Sequence, residues 1–234
     1  MNLRLRLPLG EVFEALHQVA AGLSQLHRHT IAHQDIKPSN ILYVDILGPG
    51  ASADTRIGDL GRAALSGKVP ALYEPLKFMG TQAYTPPELL YGQLSANSNE
   101  RRFGCDLYSL GSMAAFFFCG QPTNIFLVNN LDPAHFWANW RGDYAGVLAF
   151  VQAAFAKALA EIRQHVDQYI NPGNSDRRKA AVNDVISAIE YLCDPNPAVR
   201  GHSAQRRAHA NQFDLQRFIS LFDRLARQAR AGMI

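Results

Sequence analysis

The stretch His33-Gln34-Asp35-Ile36-Lys37-Pro38-Ser39-Asn40 decides how the rest of the chain is read. It places a carboxylate, an ammonium group and a carboxamide close together, around a proline that a helix interior would not tolerate. Upstream, Phe13, Leu16, Val19, Ala20, Leu23 and Leu26 recur at spacings of three and four, which predicts a helix over Leu9–Arg28 with one buried face. Downstream, Ile41-Leu42-Tyr43-Val44 predicts a short strand, Gly48-Pro49-Gly50 a turn, and Arg56-Ile57-Gly58 the returning strand. The polar octet is thereby pinned between a helix and a hairpin. Taken alone, Asp35, Asn40 or the later Asp59 reads as a loop or capping residue.

Further clusters follow in order. Nineteen residues beyond Asn40 stands Asp59-Leu60-Gly61, and twenty-nine beyond Asp59 stands Glu88, which closes Gly80-Thr81-Gln82-Ala83-Tyr84-Thr85-Pro86-Pro87-Glu88. Eighteen residues further is Asp106, opening Asp106-Leu107-Tyr108-Ser109-Leu110-Gly111, and near the end stands Asp194-Pro195-Asn196-Pro197-Ala198-Val199-Arg200. Residues 62–87 lack periodicity and contain Gly67, Pro70, Pro75 and Gly80, so they read as a long loop, which in a compact domain is functional or disordered. A helix over Asp106–Cys119, ended by Gly120 and Pro122, is apolar nearly all round and belongs in the centre. An unpaired carboxylate there is very costly, so Asp106 requires a partner.

Trp137 and Trp140 precede a helical pattern through Val147, Val151, Phe155, Ala158, Ile162 and Val166, broken at Asn171-Pro172-Gly173-Asn174. Two more helices fit Val182–Cys193 and Phe213–Arg230. The fold class is α+β, mainly helical with a few short strands, in one compact domain.

Composition excludes several classes. The 234 residues are 47% hydrophobic and 18% charged, ordinary globular values that allow a sizeable core. Cys105, Cys119 and Cys193 form no CxxC pair, which argues against a disulfide framework or zinc ribbon and for a reducing compartment. The net charge is +3, with ten basic against six acidic residues in 176–234; a solvated helix face explains this better than nucleic-acid binding. No secretory signal is evident, and the apolar run Leu107–Cys119 is only 13 residues, too short to span a bilayer. We expect a cytoplasmic protein with no membrane span and no nucleic-acid partner.

Together the clusters resemble the C-terminal lobe of a eukaryotic-type protein kinase: catalytic loop 33–40, an activation segment 59–88 from Asp-Leu-Gly to Pro-Pro-Glu, and the central-helix acid Asp106. The resemblance covers about residues 9–230, treated as one domain over 1–234, with an extra helical segment at about 130–180. It implies an ATP- and Mg²⁺-dependent protein serine/threonine kinase, with Mn²⁺ as a substitute ion. Asp35 would orient the attacking hydroxyl and accept its proton, and Lys37 would offset charge on the nucleotide's transferring phosphoryl group. Asn40 and Asp59 would hold the metal through oxygen. Thr81 would hydrogen-bond near the catalytic acid, and Leu42 would pack beneath the adenine. The implied structural residues are His33 stacked on Leu60, Gly61 in its triplet, Asp106 on the catalytic-loop amides, and a buried Glu88–Arg200 ion pair.

The chain departs from that pattern in several places. Gln34 stands where the family usually has an arginine that pairs with a phosphorylated activation-loop residue, and an amide cannot make that charge-assisted pair. Activity is therefore expected not to depend on phosphorylation of Ser66, Tyr73 or Thr85. Leu60 stands for Phe and Pro86 for Ala. There is no GxGxxG loop and no strand lysine of the VAIK type, so the expectation is a C-lobe with the N-lobe absent. Such a chain would bind ATP poorly alone, expose an apolar face, and need an N-lobe or partner chain to act on a protein substrate. Two other readings compete: a non-catalytic kinase-like scaffold, and a small-molecule phosphotransferase. The Lys37-Pro38 pair and residues 80–88 weigh against the second.

Overall fold

The computed structural model describes residues 7–44, 54–65, 81–171, 173, 175–208 and 211–234. Helix α1 (Leu9–Arg28) leads into the two-residue strand β1 (Ile31–Ala32), the catalytic-loop stretch, and the hairpin β2 (Ile41–Val44) and β3 (Asp54–Ile57). Strand β4 (Ala64–Leu65) returns to β1. The helices α2 (Pro87–Leu90), α3 (Ser98–Cys119), α4 (Thr123–Asn130), α5 (Tyr144–Ile170), α6 (Asp176–Leu192), α7 (Ser203–Arg207) and α8 (Gln216–Arg230) follow. Both sheets are antiparallel pairs, with Ala32 opposite Ala64 and Ile41 opposite Ile57.

The apolar stripe of α1, including Val12, Phe13, Leu16, Val19 and Leu23, is buried, and α8 lies along this helix with Phe218, Phe222 and Leu225 turned inward. Helix α3 runs through the middle and touches α1, α4, α5, α6 and β1. Its burial from Arg102 to Ala115 is continuous, which is why its sequence shows no polar face. One hydrophobic cluster extends from Val12 to Ile234, so residues from both ends share a core.

Two helices start earlier than the sequence expectations and one starts later. Periodicity reports only the buried part of a helix, whereas the start is set by capping. Asn97 accepts from the Asn99 amide (3.0 Å), and α3 begins at Ser98 rather than Asp106. Ser175 accepts from the Arg178 amide, and α6 begins at Asp176 rather than Val182. Phe213 sits in the turn before α8, where its amide donates to Asn211 Oδ1 (3.0 Å). Much of the expected loop, residues 66–80 with Ser66 and Tyr73, lies outside the described residues.

The most apolar long segment is α5, not the α3 stretch singled out by sequence. By length and composition it is the one single helix among the described residues that could cross a membrane, with a mean hydropathy of 1.5. In the fold, Val147, Val151, Ala158, Ile162 and Val166 are buried and α5 packs on α3, α4 and α6, so the extra segment thickens the lobe. The cysteines are free, and burial pushes the Cys119 and Cys193 thiols up to about 12, as suits packing rather than thiol chemistry.

Helices α3 and α6 approach closely at Gly111. A Cβ there would stand 2.6 Å from Cys193 Sγ and 2.7 Å from Leu192 Cβ. Gly111→Ala is expected to lose about 1–3 kcal/mol by overpacking, seen as a lower urea midpoint with an unchanged slope. An unchanged midpoint would show that the two helices separate freely.

Candidate active site

The catalytic loop is held from below by Asp106, whose carboxylate is fully buried in α3. Its Oδ2 accepts from the His33 amide (2.8 Å) and its Oδ1 from the Gln34 amide (2.6 Å). These bonds hold Gln34 at φ 64, a left-handed conformation unfavourable for a side chain of this kind. From above, His33 Nε2 donates to Gly58 O (2.9 Å), and its Nδ1 accepts from the Asp35 amide (3.3 Å). The Gly58 amide donates to Asn40 O (2.8 Å), which extends the β2–β3 ladder and brings Asp59 beside the catalytic loop.

At the centre is Asp35, which is buried. Lys37 Nζ donates to its Oδ2 (2.8 Å) and to Thr81 Oγ1 (3.1 Å). Asn40 Nδ2 donates to the Asp35 backbone oxygen (2.8 Å) and to Oδ2 (3.2 Å). One carboxylate oxygen is therefore saturated, and among the described residues Oδ1 has no hydrogen-bond partner. The Asn40 amide is oriented with its nitrogen toward Asp35, and among the described residues its Oδ1 accepts no hydrogen bond. Asp59 is exposed, has φ 56, and its Oδ1 accepts from the Gly61 amide (3.2 Å). A Cβ on Gly61 would stand 3.1 Å from that same oxygen, so a side chain there would crowd the carboxylate. No cluster of three His, Cys, Asp or Glu side chains among the described residues forms an all-protein metal site. An amide oxygen and a carboxylate on adjacent loops do suit Mg²⁺, which fills its octahedron with phosphate oxygens and water.

Other implied positions fall where they bear on the nucleotide or on the scaffold. Leu42 and Leu60 are each 57% exposed, so neither is enclosed by the described residues. Arg200 Nη1 and Nη2 donate to Glu88 Oε1 and Oε2, both at 2.7 Å, in a buried bidentate pair. The Gln34 side chain is committed elsewhere, donating to Arg62 O (2.9 Å).

Three residues that sequence reasoning missed belong to the site. Arg62 Nε lies 3.9 Å from Asp35 Oδ2, a second cation on the saturated oxygen. Asn124, buried at the start of α4, donates to the Gln82 and Thr85 carbonyls (2.7 and 2.8 Å) and so docks the end of the activation segment. Thr123, Asn129 and Asn130 share this short helix, so nothing in the sequence marks out the Asn124 amide.

The third is His27. Its Nε2 lies 2.9 Å from Asp106 Oδ2, its ring centroid lies 4.3 Å from that of Phe103, and among the described residues its buried Nδ1 has no hydrogen-bond partner. Nε2 must carry the proton, since the carboxylate can only accept. His27→Phe keeps the ring and removes the donor, and is expected to cost about 1–3 kcal/mol and speed hydrogen exchange at the His33 and Gln34 amides. His27→Gln should restore part of the protection. Equal exchange in wild type and His27→Phe would show that Asp106 holds the loop unaided.

The protein kinase domain profile matches residues 4–136, which spans the catalytic loop, Asp59, Glu88 and Asp106. The chain belongs to the protein kinase family. Among related proteins, an Aurora/IPL1-related protein kinase 2 from Caenorhabditis briggsae is 32% identical over 109 residues, covering 46% of this chain and 30% of that protein. A calcium and calcium/calmodulin-dependent serine/threonine-protein kinase from Pisum sativum is 31% identical over 114 residues, covering 48% and 19%. A cysteine-rich receptor-like protein kinase 14 from Arabidopsis thaliana is 32% identical over 141 residues, covering 56% and 19%. The matched segment is under a third of the length of each of these relatives. The kinase match stops before α5, so α5 to α8 and Arg200 lie beyond it.

Proposed function

We propose that this kinase lobe transfers the γ-phosphate of ATP to a serine or threonine hydroxyl of a protein substrate. The observation that carries the reading is the asymmetry of Asp35: Oδ2 is held by Lys37 and Asn40, and Oδ1 is left for an acceptor hydroxyl. That oxygen orients the hydroxyl and takes its proton as the oxygen–phosphorus bond forms. Lys37, between Asp35 and Thr81, neutralises charge on the transferring group. Asn40 Oδ1 and the Asp59 carboxylate hold the Mg²⁺ that, when bound, neutralises phosphate charge. The exposed Leu42 is the floor for adenine, and the cover comes from a glycine-rich lobe elsewhere in the polypeptide or on a partner chain. The commitment of Gln34 to Arg62 supports ordering of the loop without phosphorylation.

The test is incubation with Mg-ATP and a generic protein substrate, with phosphoamino-acid analysis, alongside calorimetry of Mg-ATP binding. Phosphoserine or phosphothreonine is the expected product, and the lobe without a cover is expected to bind Mg-ATP weakly. Micromolar Mg-ATP affinity for this chain alone would contradict the need for a cover. Nucleotide binding with no transfer would favour the scaffold reading.

A further inference from the structure

We propose that the groove between α6 and α8 binds a phosphate monoester group where His202 and Arg217 line it. The groove is open, has a volume of about 700 Å³, and lies outside the kinase match. Its α6 wall is Asp184, Ser187, Ala188 and Tyr191, and its α8 wall includes Arg217, Ser220, Leu221 and Arg224, each set at helical spacing along one face. His202 closes one end, with its ring centroid 5.1 Å from that of Tyr191 and 5.9 Å from that of Phe218.

Charge distinguishes this end of the groove. The other arginines of α8 are neutralised: Arg224 by Asp184 (2.9 Å), Arg227 by Asp223 (2.6 Å) and Arg230 by Glu14 (3.0 Å). Arg217 has no carboxylate within ion-pair distance among the described residues, nor has Arg207, whose Nη1 reaches only Ser203 Oγ at 3.5 Å. Arg206, next to Arg207 in α7, donates to the Val199 and Gly201 carbonyls. Burial and the charges of Arg217, Arg207 and Arg206 together push the His202 imidazole below its usual range. Arg217 thus shares the groove wall with His202, the charges of Arg207 and Arg206 act on the same imidazole, and among the described residues no carboxylate pairs with Arg217 or Arg207.

A phosphate monoester is the ligand this chemistry selects. It carries close to two negative charges and three acceptor oxygens, which guanidinium forks bind in a bidentate manner. The groove has the size of a small-ligand pocket, and Phe218, Leu221 and Ala188 supply apolar wall for whatever bears the phosphate. The same group could arrive on a free small phosphate ester or on a phosphorylated serine or threonine segment. Anion binding in this groove does not require phosphoryl transfer at Asp35.

The experiment is an NMR pH titration of the His202 ring in the full chain, with inorganic phosphate, a phosphoserine hexapeptide and its unphosphorylated twin as probes. An anion seated beside the ring favours the imidazolium, so the midpoint is expected to rise saturably with phosphate. Arg207→Ala/Arg217→Ala, both at exposed positions, should weaken binding by about ten-fold or more. Equal binding of phosphate and phosphopeptide supports the site and assigns a small ester; tighter binding of the phosphopeptide supports it and assigns a phosphorylated segment. The proposal is overturned by an unmoved midpoint at about 10 mM of either probe, by equal binding of the unphosphorylated twin, or by full binding in the double variant.

Discussion

Arg200→Met is expected to destabilise the fold by about 3–5 kcal/mol, a large share of a domain's typical total. The guanidinium is fully buried and makes four hydrogen bonds: two on Glu88, one from Nη1 to Gly104 O (3.2 Å), and one from Nε to Asp194 O (3.0 Å). Its centre lies 5.1 Å from the Tyr108 ring centroid. Burial alone would lower the Arg200 pKa, but the Glu88 carboxylate overrides it and holds the group firmly charged. Methionine fills much of the volume yet leaves Glu88 buried and unpaired, which is where the cost arises. The double variant Arg200→Met/Glu88→Gln should lose less than the sum of the two single changes, because the uncompensated charge is gone. Chemical denaturation of all four proteins measures this coupling. A loss under about 1 kcal/mol for Arg200→Met would place the pair among ion pairs with no net structural role.

The pair also explains why a residue near position 200 matters to an activation segment that ends near 88. Glu88 opens α2, directly after the Gln82–Tyr84 turn that presents Thr81 to Lys37. Arg200 fixes the far end of that turn to α3 and to the loop after α6. A change far in sequence from the catalytic loop thus bears on where Thr81 stands.

What could be read in advance follows from the kind of signal each residue leaves. The helix Leu9–Arg28 was legible to the residue, because its apolar residues form one continuous buried stripe at spacings of three and four. The α3 start was not, because its first turn is polar and only the Asn97 cap marks it. The strength of α5 as an apolar helix was masked by scattered charges such as Lys157, Glu161 and Arg163 on a helix whose buried residues still keep helical spacing. Within the site, the motif residues were legible because they keep the order and spacing of the protein kinase family. His27, Arg62 and Asn124 were not, since each acts through contacts that join distant segments. His27 reaches Asp106 across 79 positions and Asn124 reaches Gln82 across 42, and no local pattern announces either.

The other large effect is at the chemistry. Asp35→Asn is expected to lower the rate of phosphoryl transfer by about 10²–10⁴-fold, the usual contribution of a positioned general base. The change is nearly isosteric, so the side chain still fits between Lys37 and Asn40. It converts an acceptor that could take the hydroxyl's proton into a neutral amide that cannot. The loss should fall on kcat, with KM for ATP little altered, since the proposed nucleotide contacts run through Asn40, Asp59 and Leu42 rather than Asp35. Asp59→Asn provides the contrast: it weakens a metal ligand, so higher Mg²⁺ should recover part of its activity and none of that lost in Asp35→Asn. Steady-state kinetics at several Mg²⁺ concentrations, on protein whose unfolding midpoint is unchanged, separate the two. Transfer by Asp35→Asn within about three-fold of wild type would remove Asp35 from the reaction. Recovery of Asp35→Asn by Mg²⁺ would instead move its role from the hydroxyl to the metal.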